Sequence, residues 1–227
     1  MKTIVSLLLL AVVGVMAALG YAALKPPAQA SGPIEAAPIE QAAVGTAGSG
    51  AVFEIDPNGS SARFVVDEVL RGSPKTVIGT TNQVAGQIAA DLNDIDAAHV
   101  GPITINARTL ATDDGSRNRM LQNQILQTDK NEYITFTPKR IVGLPDSVTV
   151  GQQFTFQMVG DLTIRGMSRE ATFDVSVTPT ASDTLEGTAA TTIRYADWGV
   201  SIPKVPAVAG VADDVSLQLD FVAARTA

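Results

Sequence analysis

FTFQMVGDLTIRGMSREATFDVSV, residues Phe154 to Val177, is the stretch whose reading decides the fold. In its first half the apolar or small residues fall on even numbers (Phe154, Phe156, Met158, Gly160, Leu162, Ile164), with Thr155, Gln157, Asp161 and Thr163 between them. A period of two marks a half-buried strand. After Arg165-Gly166-Met167-Ser168 the pattern resumes on odd numbers (Ala171, Phe173, Val175, Val177). Directly paired residues of an antiparallel hairpin share a face, so an even face meeting an odd face needs an even-length loop. The simplest register predicts a two-residue loop at Gly166-Met167, with glycine at the first central position of a type II′ turn. It pairs Leu162 with Ala171, Met158 with Val175 and Gly160 with Phe173.

Outward from this hairpin the same alternation recurs. Strands are expected at Val52–Asp56, Ala62–Val66, Val77–Gly79, Val84–Leu92, Val100–Leu110, Tyr133–Val142, Gly187–Tyr195 and Val215–Ala223, and Pro138 predicts an edge or a bulge. All seven phenylalanines fall in expected strands. Thr112-Asp113-Asp114-Gly115-Ser116 opens one short helix, with Thr112 or Ser116 as N-cap, the aspartates at the positive end of its dipole, and Met120, Leu121 and Ile125 on its buried side. Leu70–Lys75 and Trp198–Ala212 read as Gly- and Pro-bearing loops. The class is all-β and antiparallel, and periodicity alone does not separate a sandwich from a barrel.

The 227-residue chain divides into three parts. Residues 1–24 hold Lys2 followed by an uncharged apolar run from Thr3 to Leu24. About twenty such residues cross a bilayer as a helix. The run is expected to be an N-terminal transmembrane anchor or a signal peptide, for which Ala28-Gln29-Ala30 is an acceptable cleavage site. Residues 25–50, rich in Pro, Ala and Gly, read as a disordered tether. Residues 51–227 are one domain. The domain keeps the whole chain's net charge of −7, because Lys2, Lys25, Glu35 and Glu40 cancel. An acidic exported domain without a basic run argues against nucleic acid, and the absence of cysteine excludes disulfides and thiolate chemistry.

Isolated polar residues point to little chemistry. His99 is the only histidine, which with no cysteine rules out the usual zinc sets and makes it an ordinary loop residue. Asp113-Asp114 and Asp213-Asp214 sit at element ends, where capping and turn roles suit them better than catalysis. Arg117 and Arg119 either hold a headgroup or carboxylate, or form a solvated face or a salt bridge over a barrel mouth. Trp198 likewise either closes a barrel end or meets a ligand.

From Phe53 to Ala223 the sequence resembles the YceI-like family, lipocalin-like polyisoprenoid-binding proteins of bacterial envelopes. The matching pieces include Ile55-Asp56 with Ser60, Ser61 and Phe64; Gly86-Gln87-Ile88; Arg117-Asn118-Arg119 with Leu121; Ile134-Thr135-Phe136; Gly160-Asp161-Leu162-Thr163-Ile164-Arg165-Gly166; Ala196-Asp197-Trp198-Gly199-Val200; and Asp213-Asp214-Val215-Ser216-Leu217. Many relatives carry a histidine where this chain has Gly59, so a role tied to that histidine does not transfer. The resemblance implies an up-and-down eight-stranded lipocalin-like barrel with one short helix, whose interior takes a long isoprenoid such as a quinone or polyprenol. Phe64, Ile88, Phe136, Phe154, Phe156, Met158, Leu162, Phe173, Val175, Trp198, Leu217 and Leu219 would then line the ligand channel, with Gly160, Ala171 and Ala90 leaving it room. The expected function is an envelope carrier tethered by its N-terminal helix, or secreted if that helix is cleaved, with an isoprenoid lipid as partner and no catalytic residues, metal or other cofactor. The competing expectation is a membrane-tethered β-sandwich interaction module with a packed core.

Overall fold

A computed structural model describes residues 25–39, 50–92, 94–206 and 208–226. Its strands are β1 (Ala51–Ile55), β2 (Ser61–Leu70), β3 (Ser73–Thr81), β4 (Val84–Ala85), β5 (Gln87–Asp91), β6 (Asp94–Val100), β7 (Ile103–Asn106), β8 (Tyr133–Val142), β9 (Phe154–Ile164), β10 (Met167–Ala181), β11 (Thr184–Arg194), β12 (Val208–Val211) and β13 (Asp214–Arg225). They form one antiparallel sheet in the order β4-β7-β8-β9-β10-β11-β13-β1-β5-β6, with β2 joined to β13, β3 and β12. The sheet curls around an apolar interior, to which six of the seven phenylalanines contribute side chains, while Phe53 is buried beside it.

Thirteen strands stand where the resemblance implied eight: Gly86 splits one expected run, and β6 and β12 form outside the strands expected from alternation. The Asp56–Ser60 turn separates β1 from β2, yet both pair with β13, Ile55 opposite Ala223 and Ser61 opposite Asp220. Gly86 separates β4 from β5, and Gly101-Pro102 separates β6 from β7. His99 therefore lies in strand β6, opposite Ala89, and not in a loop. The bulge expected near Pro138 is present, as a register shift between Pro138 and Arg140.

The β9–β10 hairpin keeps its predicted faces but turns two residues earlier in index sum. Ile164 pairs with Met167, so the loop is Arg165-Gly166, with φ of 53° and 75°. Two consecutive positive φ values make a type I′ turn, whose twist matches that of the strands. Consequently Gly160 pairs with Ala171 and Met158 with Phe173. A two-residue slip preserves every face, so the period-two pattern is blind to it. The expected loop after Leu70 is a second turn of the same kind, Arg71-Gly72, with φ of 51° and 83°.

The helix, α1, spans Gly115–Met120 and continues into a wider π-turn over Leu121–Ile125. Its N-cap is Asp114, not Thr112 or Ser116: the Asp114 carboxylate accepts the Arg117 main-chain N–H at 2.7 Å. The membrane segment expected over residues 1–24 lies outside the described residues, as do residues 40–49 of the tether. Among the described residues no helix is long and apolar enough to cross a membrane. Residues 25–39 belong to the segment expected to be a tether. They run extended over the domain, held by hydrogen bonds from Asn123 to the Lys25 carbonyl and from Ile39 N–H to Gln87, and by contacts of Ser31 with Glu132.

Candidate functional site: an apolar cavity inside the curled sheet

Alternation aims one face of every long strand at the interior. From β2 come Ala62, Phe64, Val66, Glu68 and Leu70, all even; from β9 the even residues Phe154 to Ile164; from β10 and β13 the odd residues Phe173 to Val177 and Val215 to Phe221. They enclose a cavity of about 520 Å³. All twelve residues expected to line a ligand channel border it. Five of them (Phe136, Met158, Leu162, Val175, Trp198) are buried. The other seven are only half-buried: they pack against the core on one side and turn the rest of their surface to the cavity. Phe136 and Phe173 meet edge to face with centroids 4.8 Å apart, and Phe154 stacks on Phe156 at 5.9 Å.

Of the three small residues expected to leave room, only Ala90 borders the cavity. Gly160 serves the wall instead. A Cβ there would lie 2.3 Å from the Thr137 carbonyl oxygen and 2.8 Å from both the Pro138 Cα and the Phe136 ring, so glycine lets β8 and β9 approach at the bulge. Ala171 is its cross-strand partner and is buried.

Trp198 is buried in the cavity wall. It sits on a 3₁₀ turn over Tyr195–Trp198, borders the cavity and donates its indole N–H to the Leu162 carbonyl at 2.8 Å. Gly199, with φ of 64°, ends that turn. Beyond it, Ile202, Pro203, Val205, Val208 and Val211 complete the lining. Sequence reasoning missed these as a loop. The signal was available in their spacing of about three residues, since branched apolar side chains repeated through a Pro/Gly-rich connection need something apolar to cover.

Charged groups join the lining where α1 meets the tip of β2. Glu68 points inward and its side chain is 8% exposed; it pairs with Arg117 at 3.0 Å. Arg117 also pairs with Asp113, which in turn holds Lys75 at 2.7 Å. The Lys75 hydrogen bond, with Arg117 beside it, holds the Asp113 carboxyl below its ordinary value, and the Arg117 main-chain N–H does the same for Asp114. The Arg117 guanidinium is thus divided between two carboxylates, of which Glu68 borders the cavity. Arg119 turns back on Ser116 at 3.2 Å. Asp213 faces Arg194 at 3.9 Å, and Asp214 begins β13, so both acidic pairs occupy element ends.

Among the described residues the curled antiparallel sheet is an all-β half-barrel that encloses an apolar chamber with a few charged groups at its edge. The YceI-like domain model matches residues 53–223, and the chain belongs to that family. A UPF0312 protein of Staphylococcus aureus is 27% identical over 169 residues, covering 70% of this chain and 88% of that protein. Two solved structures are similar in fold. A polyisoprenoid-binding domain of Saccharophagus degradans implicated in plant cell wall breakdown is 13% identical, with a TM-score of 0.61 over 78% of this chain and 99% of that one. BcnA of Burkholderia cenocepacia is 17% identical, with a TM-score of 0.59 over 74% and 98%.

Proposed function

We propose that the domain is an exported carrier that sequesters a long-chain isoprenoid, such as a quinone or a polyprenol, inside the curled sheet. One observation carries the reading: Phe64, Ile88, Phe154, Phe156, Phe173, Leu217 and Leu219 face the interior and are still only half-buried. Apolar surface turned inward yet left without a partner forgoes about 25 cal/mol per Å² that a slender hydrocarbon would recover, before ordering costs. The Saccharophagus neighbour, itself a polyisoprenoid-binding domain, supports the same ligand class. So does the strand arrangement. A single antiparallel sheet curled on itself leaves an interior for one slender ligand. The sandwich alternative requires a packed core, with which a cavity of about 520 Å³ does not agree.

The test is organic extraction of the purified protein followed by mass spectrometry, with added quinone and polyprenol as uptake probes. A bound isoprenoid is expected, and Ala189→Trp, which places an indole in the cavity from β11, should lower the amount retained while circular dichroism stays that of the wild type. Repeated preparations that carry no lipid and take up neither probe would sink the proposal.

A further inference from the structure

Residues 25–39 are seated on the domain at a site built for them. Asn123 Nδ2 donates to the Lys25 carbonyl (2.7 Å), Arg108 Nη1 to the Gln29 carbonyl (3.0 Å), and Ile39 N–H to Gln87 Oε1 (3.0 Å). The firmest hold is on Ser31. Its main-chain nitrogen donates to Glu132 Oε1 and its hydroxyl to Glu132 Oε2, both at 2.7 Å. The same carboxylate receives Arg108 Nη1 at 2.7 Å and Asn106 Nδ2 at 3.3 Å, and Asn106 is fully buried. Arg108 and Glu132 are 14% and 11% exposed. A polar cluster this well enclosed, with both carboxylate oxygens turned to one residue of an otherwise plain segment, is not what a passive linker needs.

Ser31 is also the residue that follows Ala28-Gln29-Ala30, a small-x-small triplet downstream of the uncharged run that begins at Thr3. Two independent features, one of sequence and one of geometry, meet at the same peptide bond. We propose that the chain is hydrolysed between Ala30 and Ser31 by the leader peptidase of the export machinery, and that the α-ammonium so released docks on the Glu132 carboxylate. Water adds across the amide: the Ala30 carbonyl carbon takes the hydroxyl and leaves as a carboxylate, and the Ser31 nitrogen takes the proton and, at neutral pH, becomes an ammonium. The contact then changes from a neutral amide donor to a charge-assisted one without moving an atom of the site.

Cleavage forgoes only the bonds to the Lys25 and Gln29 carbonyls. Arg108 keeps Glu132 and the main-chain oxygens of Thr128 (2.8 Å) and Asp129 (3.3 Å). Downstream, Ile39 stays against Gly101, where an added Cβ would come within 3.1 Å of its Cγ1. The mature chain would thus begin as a strap pinned at both ends, and the inference stands whether or not the cavity carries lipid.

The full chain, exported from a bacterial host, tests it. N-terminal sequencing and intact mass are expected to show a protein starting at Ser31; a start elsewhere, or a retained leader, overturns the cleavage. Docking is read by acylating the α-amine of the mature protein with an amine-selective reagent at neutral pH. In Glu132→Gln the Ser31 amine should label about tenfold faster than in wild type, the factor one charge-assisted hydrogen bond provides. Glu132→Asp, which keeps the charge, should fall between them. Equal rates in wild type and in whichever variants fold overturn the docking.

Discussion

The two sides of the curled sheet are built differently. From β8 to β11 the strands run 10, 11, 15 and 11 residues; from β4 to β7 they run 2, 5, 7 and 4. The long wall pairs with itself through two tight hairpins, β9–β10 and β10–β11, a longer connection from β8 to β9, and a single bulge on each of β8 and β10. The short wall breaks at Gly86 and Gly101-Pro102, and along it or just beyond it lie Gln87, Gly101 and Arg108, which touch the strap, and the buried Asn106, which holds Glu132 beneath it. Breaks in a ladder leave polar groups that need partners from elsewhere. The long wall is thus complete within the family-matched region, whereas the short wall is finished by residues 25–39, which lie outside it.

A glycine in each wall breaks the comparison most sharply. Gly160→Ala puts a Cβ against rigid backbone of β8, at 2.3 Å from the Thr137 oxygen, so the cost should exceed about 3 kcal/mol in urea denaturation. Gly86→Ala meets the Ile103 Cδ1 at 2.4 Å, but that is the end of a side chain that can rotate, and about 1 kcal/mol is expected. Equal costs would mean that the walls are equally rigid. Next in size is Trp198→Phe, which keeps a ring at the end of the long wall and removes the only donor to the Leu162 carbonyl from that turn; about 2 kcal/mol should be lost, read as a shift of the denaturation midpoint without a change of slope.

The same contrast explains what was legible beforehand. In the long wall the alternation of Phe154 through Val177 survives uninterrupted, and the inward residues named from it border the cavity, Gly160 and Ala171 excepted. The turn was misplaced by a shift of two, to which alternation is insensitive, and because an arginine at φ 53° is a choice that composition does not advertise. In the short wall, Val84–Leu92 and Val100–Leu110 looked like continuous strands because Gly86 and Gly101-Pro102 break pairing without breaking hydrophobicity. The strap was invisible for another reason. Its partners Arg108 and Glu132 lie about a hundred residues away in sequence, and nothing local to Lys25–Ile39 marks a segment bound through main-chain carbonyls and one serine.

The smallest expected effect concerns that strap and fixes its sign. Removal from water pushes the Glu132 carboxyl up, but the Ser31 hydroxyl, the Ser31 main-chain N–H, Arg108 and Asn106 outweigh it, and the group ends below its ordinary value. A carboxyl whose folded pKa is depressed contributes stability above its unfolded value, about 4.3, and loses it as pH falls through the folded one. Wild type should therefore melt above Glu132→Gln at pH 7, and the gap should close between about pH 4.3 and the folded value below it. Hydrogen exchange followed over the same range should show the segment from Ser31 to Ile39 losing protection first, with β9 and β10 unchanged. A gap that stays constant as the acid is titrated would mean that Glu132 acts by shape alone, and that the short wall does not depend on the charge that seats its strap.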